Sequence, residues 1–235
     1  ENFRKENKNY LYPSFDTITG SGPNGAIIHY RSTKYSNRKI KKDDLLLIDS
    51  GGQYKWGTTD VTRTVCFSNV QNKIKDIFTR VLKGHIAVVL SDIKRARNGH
   101  NIDKIARKSL NSVGLDYRHG TGHGVGAFLN VHEGPQGISK NNYVDLKEGM
   151  ILSNEPGFYK KNEFGIRIEN LVFIKNYKSK LFFENLTLAP IDIDLVNFKM
   201  LNKNEKNYLF KYHLDVYNNI SPFLKKNEKK WLARL

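Results

Sequence analysis

A single cysteine, Cys66, is all the thiol this 235-residue chain carries. That excludes an intramolecular disulfide framework and a thiolate zinc cluster, and it suits a reducing compartment. No run approaches the roughly eighteen consecutive apolar residues that a membrane-spanning helix needs. The polar start, Glu1 to Tyr10, lacks the apolar stretch of a secretory signal. A cytoplasmic protein without membrane association is expected, and a first residue other than Met is expected of a piece of a longer chain. No Pro-, Gly- or Ser-rich linker divides the sequence into independent domains. Acidic residues are scarce beside basic ones: 23 Asp and Glu against 39 Lys and Arg leave a formal charge of +16.

Apolar residues make up 39% of the chain and aromatic residues 11%, enough for a packed core, which excludes a disordered chain. The positive excess by itself points to nucleic acid or a membrane surface. Its distribution argues otherwise, because the basic runs at 4–8, 38–42, 175–180 and 225–230 fall mostly in Asn-rich, loop-like stretches that read as solvated surface. After a Gly/Pro loop, residues 26–30, 45–50 and 61–67 read as strands. Ile74, Ile77, Phe78, Val81, Leu82, Ile86 and Val89 then recur at helical spacing, with Asn72 as cap. A second helix is expected over about 102–113, with Gly114 as its stop. Residues 119–126, 150–154, 166–174 and 181–187 read as extended, and the tail from about Asn204 carries two helical patterns. The order predicts an α+β fold.

Four acidic residues stand where folding alone would favour apolar ones. Asp49 ends the run from Leu45 to Ile48, on the face of Leu45 and Leu47 by period-two alternation. Asp60 opens the next strand on the face of Thr62 and Thr64, so a hairpin would bring both carboxylates to one spot. Glu155 follows Ile151 and Leu152 and precedes Pro156 and Gly157. In Ile166-Arg167-Ile168-Glu169, alternation puts the isoleucines on one face and Arg167 with Glu169 on the other. Each alone has an ordinary explanation as a turn, a loop or a surface ion pair. That explanation weakens once His123 is added, since the stretch from His119 to Gly126 spends four glycines in eight residues, which lets backbone or a ligand approach closely. Two Asp, one His and two Glu form a hard, oxygen-rich ligand set suited to a pair of Mn, Co or Zn ions. Four converging carboxylates would repel one another, and two divalent ions would cancel their charge. Water between two such ions ionises near neutral pH, so the inferred chemistry is metal-assisted hydrolysis.

Six motifs carry a resemblance: Asp-Ser-Gly-Gly-Gln-Tyr at Asp49, Thr-Thr-Asp-Val-Thr-Arg-Thr around Asp60, His-Gly-Thr-Gly-His-Gly-Val-Gly at His119, Asn-Val-His-Glu-Gly-Pro at Asn130, Asn-Glu-Pro-Gly-Phe-Tyr at Asn154, and Gly-Ile-Arg-Ile-Glu-Asn at Gly165. They resemble the pita-bread metallopeptidases, and among them the aminopeptidase P (Xaa-Pro aminopeptidase) branch of the eukaryotic cytosolic type. The run Gly-Pro-Asn-Gly-Ala-Ile-Ile-His-Tyr at Gly22 and the pair Trp231-Leu232 extend the likeness over almost the whole chain. The resemblance implies a curved, mostly antiparallel sheet covered by helices. It implies a metal-dependent aminopeptidase that hydrolyses the N-terminal Xaa-Pro bond by attack of a dimetal-bridging hydroxide. Asp49, Asp60, His123, Glu155 and Glu169 correspond to the ligands of two divalent ions, Mn2+ foremost and Co2+ or Zn2+ next, with Asp60 and Glu169 bridging. His29, His119 and His132 correspond to the family's non-ligand active-site histidines, Arg167 to an arginine behind the ligands, and Glu155 to a proton shuttle as well.

Substrates implied in this way are peptides with proline second, with no nucleic-acid partner. An Xaa-Pro bond is a tertiary amide whose nitrogen leaves well only once protonated, so proton delivery is a specific demand. The three histidines are candidates for that delivery, for holding the carbonyl oxygen, or for lining the proline pocket. Residues 1–203 are read as the catalytic domain short of its first helix, and 204–235 as a helical extension that contributes to a homodimer, with two further domains expected upstream. Prolidase and methionine aminopeptidase share the fold, but the fourteen residues from Glu155 to Glu169 and the run Gly-Ala-Phe-Leu-Asn-Val-His-Glu-Gly-Pro look closer to aminopeptidase P. A non-catalytic pita-bread protein that binds nucleic acid or acts as a chaperone would suit the charge, and the presence of all five ligand types argues against it. His85, His100 and His213 match no motif and are read as structural. Tyr10, Tyr12 and Phe15 are read as packing onto a region that precedes this chain.

Overall fold

The computed structural model describes residues 1–128 and 130–235, so Leu129 of the Gly-Ala-Phe-Leu run lies outside the described residues. A one-turn helix, α1 (Asn2–Lys5), leads into β1 (Tyr10–Pro13) and β2 (Ile18–Ser21). β3 (Leu45–Ser50), β4 (Gly52–Tyr54), β5 (Gly57–Thr58) and β6 (Val61–Cys66) complete the strand-rich first block. Tyr10 and Tyr12 are therefore strand residues, and Tyr10 packs edge-on against Tyr54 across the β1–β4 pair. Residues 26–30 do not form the expected strand. A 3-10 turn occupies Gly22–Ala26, with Pro23 in its first turn and Gly22 at φ +52°, and turn chemistry here overrides the strand preference of Ile27 and Ile28. His29 thus sits on a loop.

The helices follow: α2 (Asn72–Val89), α3 (Ile93–Ala96) and α4 (Gly99–Asn111). The N-cap of α2 is Gln71, one residue before the expected Asn72. α4 starts at Gly99 because the Asn98 side chain accepts from Asn101 N at 3.2 Å, and Gly114 takes φ +72° just beyond its end. Then come β7 (Gly122–His123), β8 (Gly137–Ile138), β9 (Ile151–Asn154), β10 (Gly157–Lys160), β11 (Phe164–Arg167), β12 (Asn170–Tyr177) and β13 (Lys180–Asn185), and finally α5 (Lys203–Ile220) and α6 (Lys226–Leu232).

Every strand pairing among the described residues is antiparallel, in the orders β2-β3-β6, β1-β4-β5, β7-β8, β10-β11 and β9-β12-β13. The fold is α+β, as the element order predicts. The strand expected over 166–174 is two strands in different sheets, with Ile168 and Glu169 in the break. The break is held from β6, where Glu169 N donates to Thr62 O at 3.1 Å and Arg63 donates to Glu169 O.

α2 explains how the sheets are covered. Phe78, Val81, Leu82 and Ile86 recur at helical spacing and are buried against Ile166 and Ile168 of the strand side, and against Leu209 and Val216 of α5. Burying each such side chain contributes about 1.5–3 kcal/mol. Ile102 and Ala106 of α4 pack with Leu152 of β9 and Val172 and Ile174 of β12 in a second cluster. The two clusters leave the far ends of β3, β6, β9 and β11 to carry polar side chains.

Candidate metal centre

β3 and β6 pair with Asp49 opposite Thr62, so Asp60, two residues before Thr62, falls on the same face as Asp49. Both aspartates are buried, at 8% and 5% exposure. Glu169 comes in from the break between β11 and β12, and Thr62 Oγ1 donates to it at 2.8 Å. Glu155 follows β9, where Ser153 Oγ donates to its Oε1 at 3.0 Å. His123 of β7 is brought alongside because its backbone N–H donates to the same Ser153 Oγ at 2.9 Å. That approach needs Gly122, since a Cβ there would lie 1.9 Å from Ser153 O.

Three groupings of donor atoms, each within 4.8 Å, result: Asp49, Asp60 and Glu169; His123, Glu155 and Glu169; and Asp60, His123 and His132. All nine residues singled out from sequence, His29, Asp49, Asp60, His119, His123, His132, Glu155, Arg167 and Glu169, line one cavity of about 390 Å³. Phe15 lines it too.

Two observations bear on what fills the centre. His123 Nδ1 lies 2.9 Å from Gly124 O, which can only accept, so Nδ1 carries the proton and the Nε2 lone pair is left free. That lone pair faces Asp60 Oδ2 at 3.5 Å and Glu155 Oε1 at 3.4 Å, an arrangement of acceptors that a cation between them would satisfy, or a proton on Nε2 that turns the Asp60 contact into a hydrogen bond. Asp49 Oδ1 is buried with no hydrogen-bond partner. The acids respond as crowded, buried carboxylates do. Burial and the neighbouring acids push Glu155 up to about 7 and raise Glu169 well above the carboxylate range, and burial with Asp60 nearby raises Asp49. Burial opposes the charge on His123, but its hydrogen bond to Asp60 and the nearby Glu155 raise it overall. A donor set of four carboxylates and one imidazole, with an orphaned oxygen and an unused lone pair, fits divalent cations.

One fixed cation backs the acids. Arg167 of β11, 2% exposed, donates to Asp49 Oδ2 at 2.6 Å, to Thr62 Oγ1 at 3.1 Å and to Tyr159 OH at 2.8 Å. Burial works against its charge, and Tyr159, Asp49, Glu155 and Glu169 more than restore it. Tyr159 OH also meets His119 Nε2 at 2.9 Å. Burial lowers His119 to about 4, and burial together with His123 lowers His132. The His119 loop is tied to α4, whose buried Arg107 donates to His119 O at 2.7 Å while Asp103 accepts from Thr121 Oγ1 at 2.6 Å.

Sequence reasoning did not single out Thr62, Ser153, Tyr159, Asp103 or Arg107. Tyr159 stands inside a quoted motif, and Thr62 was placed on the Asp60 face, which were the signals available. Ser153 and the Asp103–Arg107 pair gave none, because their roles arise from contacts between distant segments. His100 is half-buried with Nδ1 against Lys140 O, and His213 meets Ile191 N and Leu235 O, both structural as expected.

Residues 1–176 match the model of metallopeptidase family M24, and residues 179–235 match the C-terminal region of peptidase M24. The chain belongs to metallopeptidase family M24. A probable Xaa-Pro aminopeptidase P of Laccaria bicolor is 48% identical over 100% of this chain and 38% of its own length. Aminopeptidase P2 of Arabidopsis thaliana is 47% identical over 98% of this chain and 34% of its own. The chain thus spans well under half the length of these curated relatives. Among solved structures, the X-prolyl aminopeptidase of Caenorhabditis elegans, described as a cytosolic enzyme with a di-nuclear active site, superposes with a TM-score of 0.93 at 40% identity over 99% of this chain and 40% of its own. Prolidase from Pyrococcus furiosus superposes with a TM-score of 0.65 at 32% identity, over 74% of this chain and 49% of its own. The fold is the pita-bread fold expected from the motifs.

Proposed function

We propose that the protein containing this chain is a dinuclear metallopeptidase that removes the N-terminal residue from peptides with proline second. The observation that carries the reading is the convergence of Asp49, Asp60, His123, Glu155 and Glu169, with the Asp49 oxygen and the His123 lone pair unmatched by any donor. The relatives named above support the Xaa-Pro specificity. These five residues would hold two divalent ions, Mn2+ foremost, with Asp60 and Glu169 each belonging to two of the three donor groupings. When bound, the ions would supply Lewis-acid activation of a water and of the scissile carbonyl.

The chain's own groups supply the rest. Arg167 and Thr62 fix Asp49 and Glu169 from behind, so the ligand oxygens are set before substrate arrives. Glu155, whose side chain is partly exposed to the cavity, takes and returns a proton. The leaving proline nitrogen has no hydrogen of its own, and His29, His119 and His132 surround the space where it must be protonated. His119 is held through Tyr159 and acts as a neutral hydrogen-bonding group at pH 7.

No described helix is long and apolar enough to cross a membrane, and a cytoplasmic placement is proposed with the C. elegans neighbour as support. Residues 1–203 are proposed as the catalytic domain and 204–235 as its helical extension. The exposed Phe210, Leu214, Phe223 and Trp231 support a homodimer through that extension. A monomer by light scattering, unchanged when 204–235 is cut back, would contradict it. The function itself is tested with Mn2+-loaded protein on an Xaa-Pro-Yaa peptide, its Xaa-Ala-Yaa analogue and an Xaa-Pro dipeptide. Cleavage of the first in preference to both others is expected; preference for the alanine peptide refutes the specificity, and activity confined to the dipeptide identifies a prolidase.

A further inference from the structure

His85 lies in α2, has no solvent exposure and lines no wall of the cavity. Its Nδ1 is 3.1 Å from Asn154 O, and Asn154 Nδ2 donates back to His85 O at 2.9 Å. A carbonyl only accepts, so Nδ1 carries the proton of the neutral ring. Nε2 then has only a lone pair, and it is buried without a partner, while the Ile168 carbonyl also bears on the ring. Asn154 and Ile168 are the residues immediately before Glu155 and Glu169. An apolar side chain would fill this place without desolvating an unmatched nitrogen, so packing alone does not account for an imidazole here.

The contact has a specific geometry. Asn154 O and the Glu155 N–H belong to one peptide unit, and Glu155 N donates to Thr121 O at 2.7 Å. That peptide plane is therefore pinned at its oxygen by His85 and at its N–H by Thr121. Gly84 lets α2 close on α4, since a Cβ there would lie 2.4 Å from Ala106 O, and it leaves Pro156 Cβ of the Glu155 segment in ordinary contact range at 3.7 Å. We infer that His85 is a positioning residue whose ring, through the Asn154 carbonyl, fixes the Asn154–Glu155 peptide so that Glu155 is aimed at the other four residues of the centre. The inference rests on the metal-centre reading above.

Three variants of the full chain test it. In His85→Asn the amide nitrogen can take the place of Nδ1; in His85→Gln it reaches toward the Nε2 position; His85→Leu has no donor. Measured are Mn2+ affinity of metal-stripped protein by calorimetry, kcat and KM on an Xaa-Pro-Yaa peptide, and amide exchange at Glu155 in the metal-free protein. The Gln and Leu variants are expected to bind Mn2+ about 10–100-fold more weakly, lower kcat with KM within about twofold, and speed exchange at Glu155, whereas the Asn variant stays within about threefold of the parent. If His85→Leu does not fold, the Asn–Gln comparison decides. Equal behaviour of those two variants, or parental Mn2+ affinity in His85→Gln, overturns the inference. A parent that takes up no Mn2+ overturns the metal-centre reading and this inference together; a parent that binds it, with variants that bind equally, overturns the inference alone.

Discussion

Replacing Glu155 by Gln should stabilise the metal-free protein at alkaline pH, although it removes a residue assigned to the centre. Glu155 is raised from 4.5 to about 7 by burial, helped by Asp60, and its side chain is only 18% exposed. A carboxyl whose folded pKa exceeds its unfolded one binds its proton more tightly when folded, so stability falls as pH rises from the lower value to the higher. At 1.36 kcal/mol per pKa unit, a rise from 4.5 to about 7 amounts to about 3 kcal/mol lost by pH 8. Glutamine keeps the shape without the charge. His85 and His119, lowered to about 3 and about 4 by burial, shift stability the opposite way below pH 6.5, but they are common to both proteins and cancel in the comparison. Urea denaturation in the presence of a chelator, at pH 4 and pH 8, should therefore give equal stabilities at the lower pH and a variant more stable by about 3 kcal/mol at the higher. Mn2+ at a thousand times the parent's Kd should reverse the order, since the parent then gains about 4.1 kcal/mol while a variant without this ligand gains far less. A metal-free parent as stable as the variant at pH 8 would refute the picture of mutually repelling buried acids.

Arg167→Met removes the buried partner of Asp49 and should cost about 3–5 kcal/mol at pH 8 and less as the pH falls, because burial and Asp60 raise Asp49 and ease its protonation; chelator-treated unfolding curves across that pH range check this. His119→Phe keeps an aromatic ring but no hydrogen bond to Tyr159, and should lower kcat about 10²–10⁴-fold with an unchanged melting curve, read on an Xaa-Pro-Yaa peptide. Gly122→Ala puts a methyl group 1.9 Å from Ser153 O and should cost about 1–3 kcal/mol by thermal denaturation, together with weakened Mn2+ binding because His123 is displaced.

The strand ends that carry the acids and the buried face of α2 were legible in the sequence because they depend on local pattern. Alternation in Leu45–Ser50 put Asp49 at a strand end, helical spacing in α2 gave its buried face, and the glycines around His123 announced close approach. Asn72 and the strand at 26–30 misled because caps and turns are decided by one or two residues. The run 166–174 misled for a different reason: its alternation is continuous, and only contacts from Thr62 and Arg63 break it at Glu169. Arg107, Ser153 and His85 were illegible because each acts on a segment far away in the chain, through a backbone carbonyl or N–H that no motif records.

The central claim is that five side chains hold two divalent ions. Metal-stripped protein titrated with Mn2+, the free ion counted by its electron paramagnetic resonance, tests it most directly. The account predicts saturation at two ions per chain, and loss of that uptake in Asp60→Ala and Glu169→Ala variants. Saturation at no ion, or two ions bound as well by those variants, would contradict it.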